Sequence, residues 1–173
     1  MLRPAAPADA PAILSLRDSL ALWHAARGIS QWREGQIPLA VFERQIADGE
    51  WHVRDGSDGL AAAVRVLDDD PAFWVDSDTA DAGYVHGLMV AREESGAGLG
   101  ARVLAFAEDL IARRGWSTAR LDCMAANAGL RAYYEARGYT LQGVREFPPG
   151  DGRYAAALFA KPVAPQDGMA RAS

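Results

Sequence analysis

Cysteine is almost absent from this chain of 173 residues: Cys123 stands alone. One thiol excludes an internal disulfide and a cysteine-only zinc site. That scarcity fits a reducing compartment, and the chain reads as cytosolic. Long apolar runs are missing too, since no stretch approaches the ~20 residues needed to span a bilayer. The opening MLRPAAPADAPAILSLRD lacks the basic-then-apolar layout of a secretion signal and is interrupted by Asp9 and Asp18. Nor is there an excess of basic charge: the net charge is -5 and the pI near 5.2, which argues against non-specific nucleic-acid binding. No self-similarity at 20–50 residues is visible, so a solenoid or propeller is not expected. What remains is ordinary soluble composition, 50% hydrophobic and 24% charged. The length predicts one domain over residues 1–161, with 162–173 as a disordered tail.

Hydrophobic periodicity orders the chain. A short edge strand over Leu2–Pro4 precedes a helix from about Asp9, its expected cap, to about Arg27. Ile13, Leu16, Leu20 and Trp23 recur there at three- and four-residue steps and so share one face. A second helix spans about Leu39–Ala47. The period then shortens: WHVRD at 51–55 and GLAAAVRVL at 59–67 read as a hairpin closed by Gly56-Ser57-Asp58. An acidic stretch with Asp68, Asp69, Asp70, Asp76, Asp78 and Asp81 reads first as a solvated loop. GYVHGLMVA at 83–91 is a strand in which Gly87 hints at a bulge. A helix over about Gly98–Arg114 follows, with Leu99, Val103, Phe106, Leu110 and Ile111 as its expected buried stripe. TARLDCM at 118–124, a helix over about Asn127–Arg137 ended by Gly138, and strands over about Tyr139–Val144 and Tyr154–Lys161 complete the order. Antiparallel pairing is expected in the first half and some parallel pairing in the second, a mixed sheet with helices packed on it.

The most informative segment is LMVAREESGAGLGARVLAFAEDL. Gly96, Gly98 and Gly100 fall where a strand ends and a helix begins. Glycine inside a helix costs roughly 0.8–1 kcal/mol relative to alanine, so a helix start has no structural need of three, although a mere tight turn is the plain alternative. Bare backbone lets another molecule approach, and amides at a helix N-terminus suit phosphate oxygens. A Walker loop does not fit, because Ala101-Arg102 follow Gly100, and G-A-G-L-G is not the dinucleotide fingerprint.

Ser95-Gly96-Ala97-Gly98-Leu99-Gly100 resembles instead the acetyl-CoA-binding motif of the GNAT-type N-acetyltransferases, usually Q/R-x-x-G-x-G/A, with Ser95 in place of the family's Arg or Gln. A second block, NAGLRAYYEARGY, is similar to the family pattern N-x6-Y-E-x2-G-F/Y through Asn127, Tyr134, Glu135, Gly138 and Tyr139. The resemblance covers about residues 83–147. It implies an α/β (mixed α+β) fold whose central mixed, mostly antiparallel twisted sheet has six to seven strands, with about four helices on both faces.

The resemblance further implies acetyl-CoA as acyl donor, with no metal, no nucleic acid and no membrane partner. Leu88, Met89 and Val90 would line the pantetheine arm with backbone groups. Ser95 and the run Gly96, Ala97, Gly98, Leu99, Gly100 and Ala101 would hold the pyrophosphate, and Asn127 would help to position CoA. Tyr134 matches the tyrosine that protonates the leaving sulfur, a role suited to a phenol with its ordinary pKa near 10. His86 is the candidate base or water relay, ahead of Asp122 and Glu135; Cys123 reads as a buried small residue, with no activating base paired to it. For the acceptor, a small amine or a peptide amine, Trp32, Trp74 and His24 are the candidate pocket residues, with Trp23 continuing the first helix's stripe and acidic residues such as Asp70 attracting a cation. The main expectation is acetyl transfer to a primary amine by direct attack in a ternary complex. A non-catalytic acyl-CoA sensor, and a phosphate binder unrelated to CoA, are the alternatives.

Overall fold

The computed structural model describes residues 1–29, 31–75 and 81–164. Asp76 and Asp78 of the acidic stretch, and residues 165–173 of the expected tail, lie outside the described residues; Pro162, expected to begin that tail, instead ends the last strand, and the Val163 amide donates to the Ser117 carbonyl at 2.8 Å. Among the described residues, seven strands pair in the order β1-β2-β3-β4-β5-β7-β6, as the mixed sheet predicted, and four α-helices accompany them. Two compact units divide the chain: Met1–Val66 with Gly87–Ala107, and Leu67–His86 with the residues from Glu108 onward.

In the first unit, β1 (Arg3–Pro4) lies antiparallel to β2 (Trp51–Asp55), which lies antiparallel to β3 (Leu60–Leu67). The hairpin closes where the Gly56 amide donates to the Gly59 carbonyl at 2.7 Å. Helix α1 (Ala10–Ala25) buries Ile13, Leu16 and Leu20, and α2 (Leu39–Ala47) buries Phe42 and Ile46, against Trp51, Val53 and Met89. Fully burying one such side chain is worth about 1.5–3 kcal/mol.

Two expectations about α1 need correction. Asp9 makes no side-chain cap to the helix; its carboxylate instead accepts from the Arg3 guanidinium at 2.7 and 3.1 Å and from the Ala6 amide at 2.7 Å. A charge-assisted pair to arginine is the stronger hydrogen bond, so Asp9 ties β1 to the turn before α1. Trp23 leaves the apolar stripe: it is half-buried, with the Arg27 and Arg92 guanidiniums each 4.0 Å from a ring centroid of the indole. Arg17 is the charged residue that α1 does bury, held by the Arg33 carbonyl at 3.1 Å and the Gln36 Oε1 at 2.9 Å.

β4 (Ala82–Val90) passes from the second unit into the first at Gly87. Gly87 has φ +53, and a Cβ there would stand 2.8 Å from the Trp51 ring. Both facts demand glycine, consistent with a kink in the strand. In the second unit β4 runs parallel to β5 (Thr118–Met124), with Val85 opposite Leu121. Parallel neighbours need a crossover, and α3 (Leu99–Arg113) lies between the two strands in sequence. The buried residues of α3 include Leu104 and Ala107, whereas Phe106 and Leu110 of the expected stripe are only half-buried. The strand β7 (Ala156–Pro162) lies between β5 and β6 (Thr140–Arg145), antiparallel to both. Helix α4 (Ala128–Glu135) completes this unit, its buried Tyr134 packed on Tyr139 and Phe159.

Candidate active site

The glycine turn belongs to the first unit. After β4, a 3-10 turn over Arg92–Glu94 leads to exposed Ser95, Gly96, Ala97 and Gly98, and α3 starts at Leu99. Gly96 and Gly98 hold φ of +85 and +72, conformations that cost other residues roughly 1–2 kcal/mol. A Cβ on Gly96 would meet no atom within 4 Å, so the turn keeps open space beside its backbone. The Arg102 amide takes the Gly98 carbonyl at 3.2 Å; the amides of Leu99, Gly100 and Ala101 precede it in the first turn, where no intrahelical acceptor exists. Arg102 adds a cation, its guanidinium donating to the Ala97 carbonyl at 2.9 Å. Donors, dipole and cation together fit a pyrophosphate. Ser95 is taken up locally, its hydroxyl donating to the Arg92 carbonyl at 2.7 Å. Leu88 and Val90 are half-buried and Met89 buried on the preceding strand.

In the same unit His24 stands 5.8 Å from Trp32, centroid to centroid, and 5.4 Å from Trp23. Its Nδ1 is buried without a hydrogen-bond partner among the described residues. Burial, and then the nearby Arg92 charge, push its pKa down, which keeps the ring neutral. Trp32 packs against the apolar core with Arg17 at 5.4 Å. Trp74, from the second unit, is buried there against Tyr84 and Leu67, with Arg120 stacked at 4.7 Å. The first unit also holds a groove of about 420 Å³ lined by Ser15, Ser19, Asp58, Glu93 and Glu94; its carboxylates oppose the binding of phosphate.

The second unit gathers titratable side chains. Because Val85 pairs with Leu121, the next residues along, His86 and Asp122, emerge side by side. His86 Nδ1 lies 3.8 Å from Asp122 Oδ1. On the other side of the ring, His86 Nε2 is 2.8 Å from Asp70 Oδ2. Asp70 is 5% exposed and held in a turn in which its carbonyl accepts from the Trp74 amide at 2.9 Å; Phe73 of that turn meets the imidazole at 5.8 Å. Ligand atoms of these residues lie within 4.8 Å of one another.

Burial raises the Asp122 carboxyl to about 6, with His86 opposing the shift and Asp70 adding to it. Burial is also the main reason that the Tyr134 phenol moves well above its ordinary range, Cys123 and Asp122 contributing. The hydroxyl therefore keeps its proton at neutral pH. Cys123 is buried and pushed up to about 11, an unreactive thiol. Glu135 is exposed at the end of α4. Asn127 caps that helix, its Oδ1 accepting from the Leu130 amide at 2.9 Å, which leaves its NH₂ as the group to meet a ligand. Asp70 is the participant that periodicity missed as a partner of His86: it sits in an acidic loop with no motif around it.

Comparison with known proteins identifies the class to which the chain belongs. The acetyltransferase (GNAT) family model matches residues 18–139. The chain is 35% identical over 147 residues to the uncharacterized N-acetyltransferase YesJ of Bacillus subtilis (strain 168), covering 81% of each. A crystal structure of a GNAT-family acetyltransferase from Listeria monocytogenes superposes with a TM-score of 0.76 at 28% identity, covering 94% of each chain. The Salmonella typhimurium protein yncA, solved with its cofactor acetyl-CoA, shares the fold with a TM-score of 0.68 at 18% identity over 99% of this chain and 98% of its own. This chain belongs to the acetyltransferase (GNAT) family. It is an acyltransferase, and among the described residues no helix is long and apolar enough to cross a membrane.

Proposed function

We propose that the enzyme transfers the acetyl group of acetyl-CoA to a primary amine by direct attack in a ternary complex. The observation that carries this reading is the turn of exposed Gly96, Ala97 and Gly98, with its two left-handed glycines and open space beside Gly96, leading into the first turn of α3, whose amides have no intrahelical acceptor, in a chain of this family. Backbone amides of that turn hold the pyrophosphate, and main-chain groups of Leu88, Met89 and Val90 align the pantetheine arm. The Asn127 NH₂ adds a polar contact.

The amine nitrogen attacks the thioester carbon; a C–N bond forms, and collapse of the tetrahedral adduct breaks the C–S bond. Tyr134 gives its proton to the departing sulfur. The proton released as the new amide forms restores the phenol. His86 serves as the base, or relays through water, for the proton that an alkylammonium must lose first. Acceptor contacts come from the His24–Trp32 pair, whose rings suit a cation or an apolar amine substituent, while the buried position of Trp74 favours a structural role.

Calorimetry with acetyl-CoA tests the cradle, and no heat at millimolar ligand removes the reading. Mass spectrometry of an amine panel tests transfer: an acetylated product supports it. Hydrolysis of acetyl-CoA without any acetylated amine overturns it.

A further inference from the structure

Resting on that reading, we propose that Asp70 is the positioning residue of the transferase: it accepts the Nε2 proton of His86 and so presents the Nδ1 lone pair, on the Asp122 side, to an alkylammonium acceptor. The argument is geometric. The 2.8 Å contact on Nε2 is of hydrogen-bond length, whereas the 3.8 Å separation on Nδ1 is not. A carboxylate on one nitrogen of a neutral imidazole fixes the proton there and makes the other nitrogen the acceptor. Asp70 is nearly buried, its backbone is held by the Trp74 amide, and Phe73 of the same turn lies 5.8 Å from the ring. The loop thus fixes both the position of the carboxylate and the tilt of the imidazole.

The step balances. The ammonium N–H bond breaks, Nδ1 gains the proton to give an imidazolium, and the neutral amine keeps the pair that forms the C–N bond. The imidazolium, between the Asp70 and Asp122 carboxyls, releases its proton to water after transfer. Carboxyl groups on both sides favour a cation at this point over a neutral aromatic amine, which needs no such base. Among the described residues, the charged and titratable groups that bear on the cluster include Asp70 and Asp122 at the ring, Arg153 acting with Asp70, and Tyr134 and Cys123 acting with Asp122.

Nitrogen-15 NMR of histidine-labelled wild-type protein above the imidazole's titration reads the tautomer directly and needs neither variant nor acetyl-CoA. The Nε2–H form of His86 is expected, and the Nδ1–H form overturns the proposal. Asp70→Asn should then lower kcat about 100-fold on the scale of a lost, correctly oriented base and shift the acid limb of kcat/KM to lower pH. KM for acetyl-CoA should hold within about twofold, because the cradle is untouched. An unchanged kcat and pH profile in a folded Asp70→Asn protein overturns the positioning role. Wild-type protein that fails to bind acetyl-CoA overturns the transferase reading instead, and the NMR result still decides the Asp70–His86 pairing.

Discussion

The first unit builds its candidate binding element from main chain, and the second builds its candidate chemistry from side chains. Between Ser95 and Ala101 little projects outward: apart from Leu99, which is buried, the residues are small, two have left-handed φ, and the candidate donors are amides. Around His86 the functional atoms sit at the ends of side chains from three separate stretches, residue 70, residue 86 and residue 122. A main-chain site tolerates side-chain changes that keep the backbone path. A side-chain site fails on the loss of a single atom. The predictions below press on that difference.

The largest effect is expected at Tyr134. Removing only the hydroxyl, in Tyr134→Phe, should lower kcat by about 100-fold or more, the range of a lost general acid. Affinity for acetyl-CoA measured by calorimetry should change little. The ring's packing on Tyr139 and Phe159 survives the substitution, so the melting temperature is the internal control. Equal losses in kcat and in affinity would show that the hydroxyl binds rather than reacts.

Asp122 gives the next effect, and its sign follows from its burial. The folded-state carboxyl is raised from 3.8 to about 6, so between these values the folded chain holds a proton that the unfolded chain has released. Stability therefore falls as pH climbs from about 4 to 6, by roughly 3 kcal/mol at 1.36 kcal/mol per pKa unit. Asp122→Asn, which cannot ionise, should match wild type near pH 4 and exceed it at pH 7 and above. Denaturant midpoints at both pH values check this, and parallel pH curves would mean that the carboxyl is not raised.

The contrast also explains what was legible beforehand. The turn could be read because its requirement is local: glycines at fixed spacing between a strand and a helix. Element order was readable for the same reason, as was the parallel pairing of β4 and β5, which a strand–helix–strand run demands. Tyr134 was singled out as a candidate only because it lies inside a block resembling a family pattern. Asp70 was not recognised as the partner of His86, because a loop residue and a strand residue 16 positions apart carry no period that links them. Asp9 and Trp23 were misjudged in related ways: helix-end position suggested a cap, and periodicity suggested core, but arginines claimed both side chains. Local patterns report backbone and average burial; they do not report which long polar side chain arrives from elsewhere in the chain.

Within the cradle, Gly96→Ala separates fold from ligand. No atom lies within 4 Å of the added methyl, so the stability cost is conformational, about 1–2 kcal/mol for φ of +85. If acetyl-CoA passes over that backbone, the methyl also occupies its path. Affinity should then fall about tenfold, beyond anything that the melting shift explains. A variant that melts earlier yet binds acetyl-CoA as wild type does would move the ligand elsewhere.

The smallest effect concerns the one position where the turn departs from the family pattern. Ser95 donates its hydroxyl back to the Arg92 carbonyl, a local bond worth about 1 kcal/mol, and it contributes no charge. Arg102 brings a guanidinium onto the same turn at the Ala97 carbonyl. If that cation already serves the pyrophosphate, restoring arginine in Ser95→Arg adds a second positive charge at an exposed, screened position. The expected gain is about threefold tighter CoA at low salt, fading at physiological ionic strength, with a slightly lower melting temperature from the lost turn bond. Ser95→Arg introduced into Arg102→Ala should gain more than it does in wild type, because the two cations then substitute for each other. Equal gains in both backgrounds would show that Arg102 shapes the turn without touching the ligand, and the cradle would then be main chain alone.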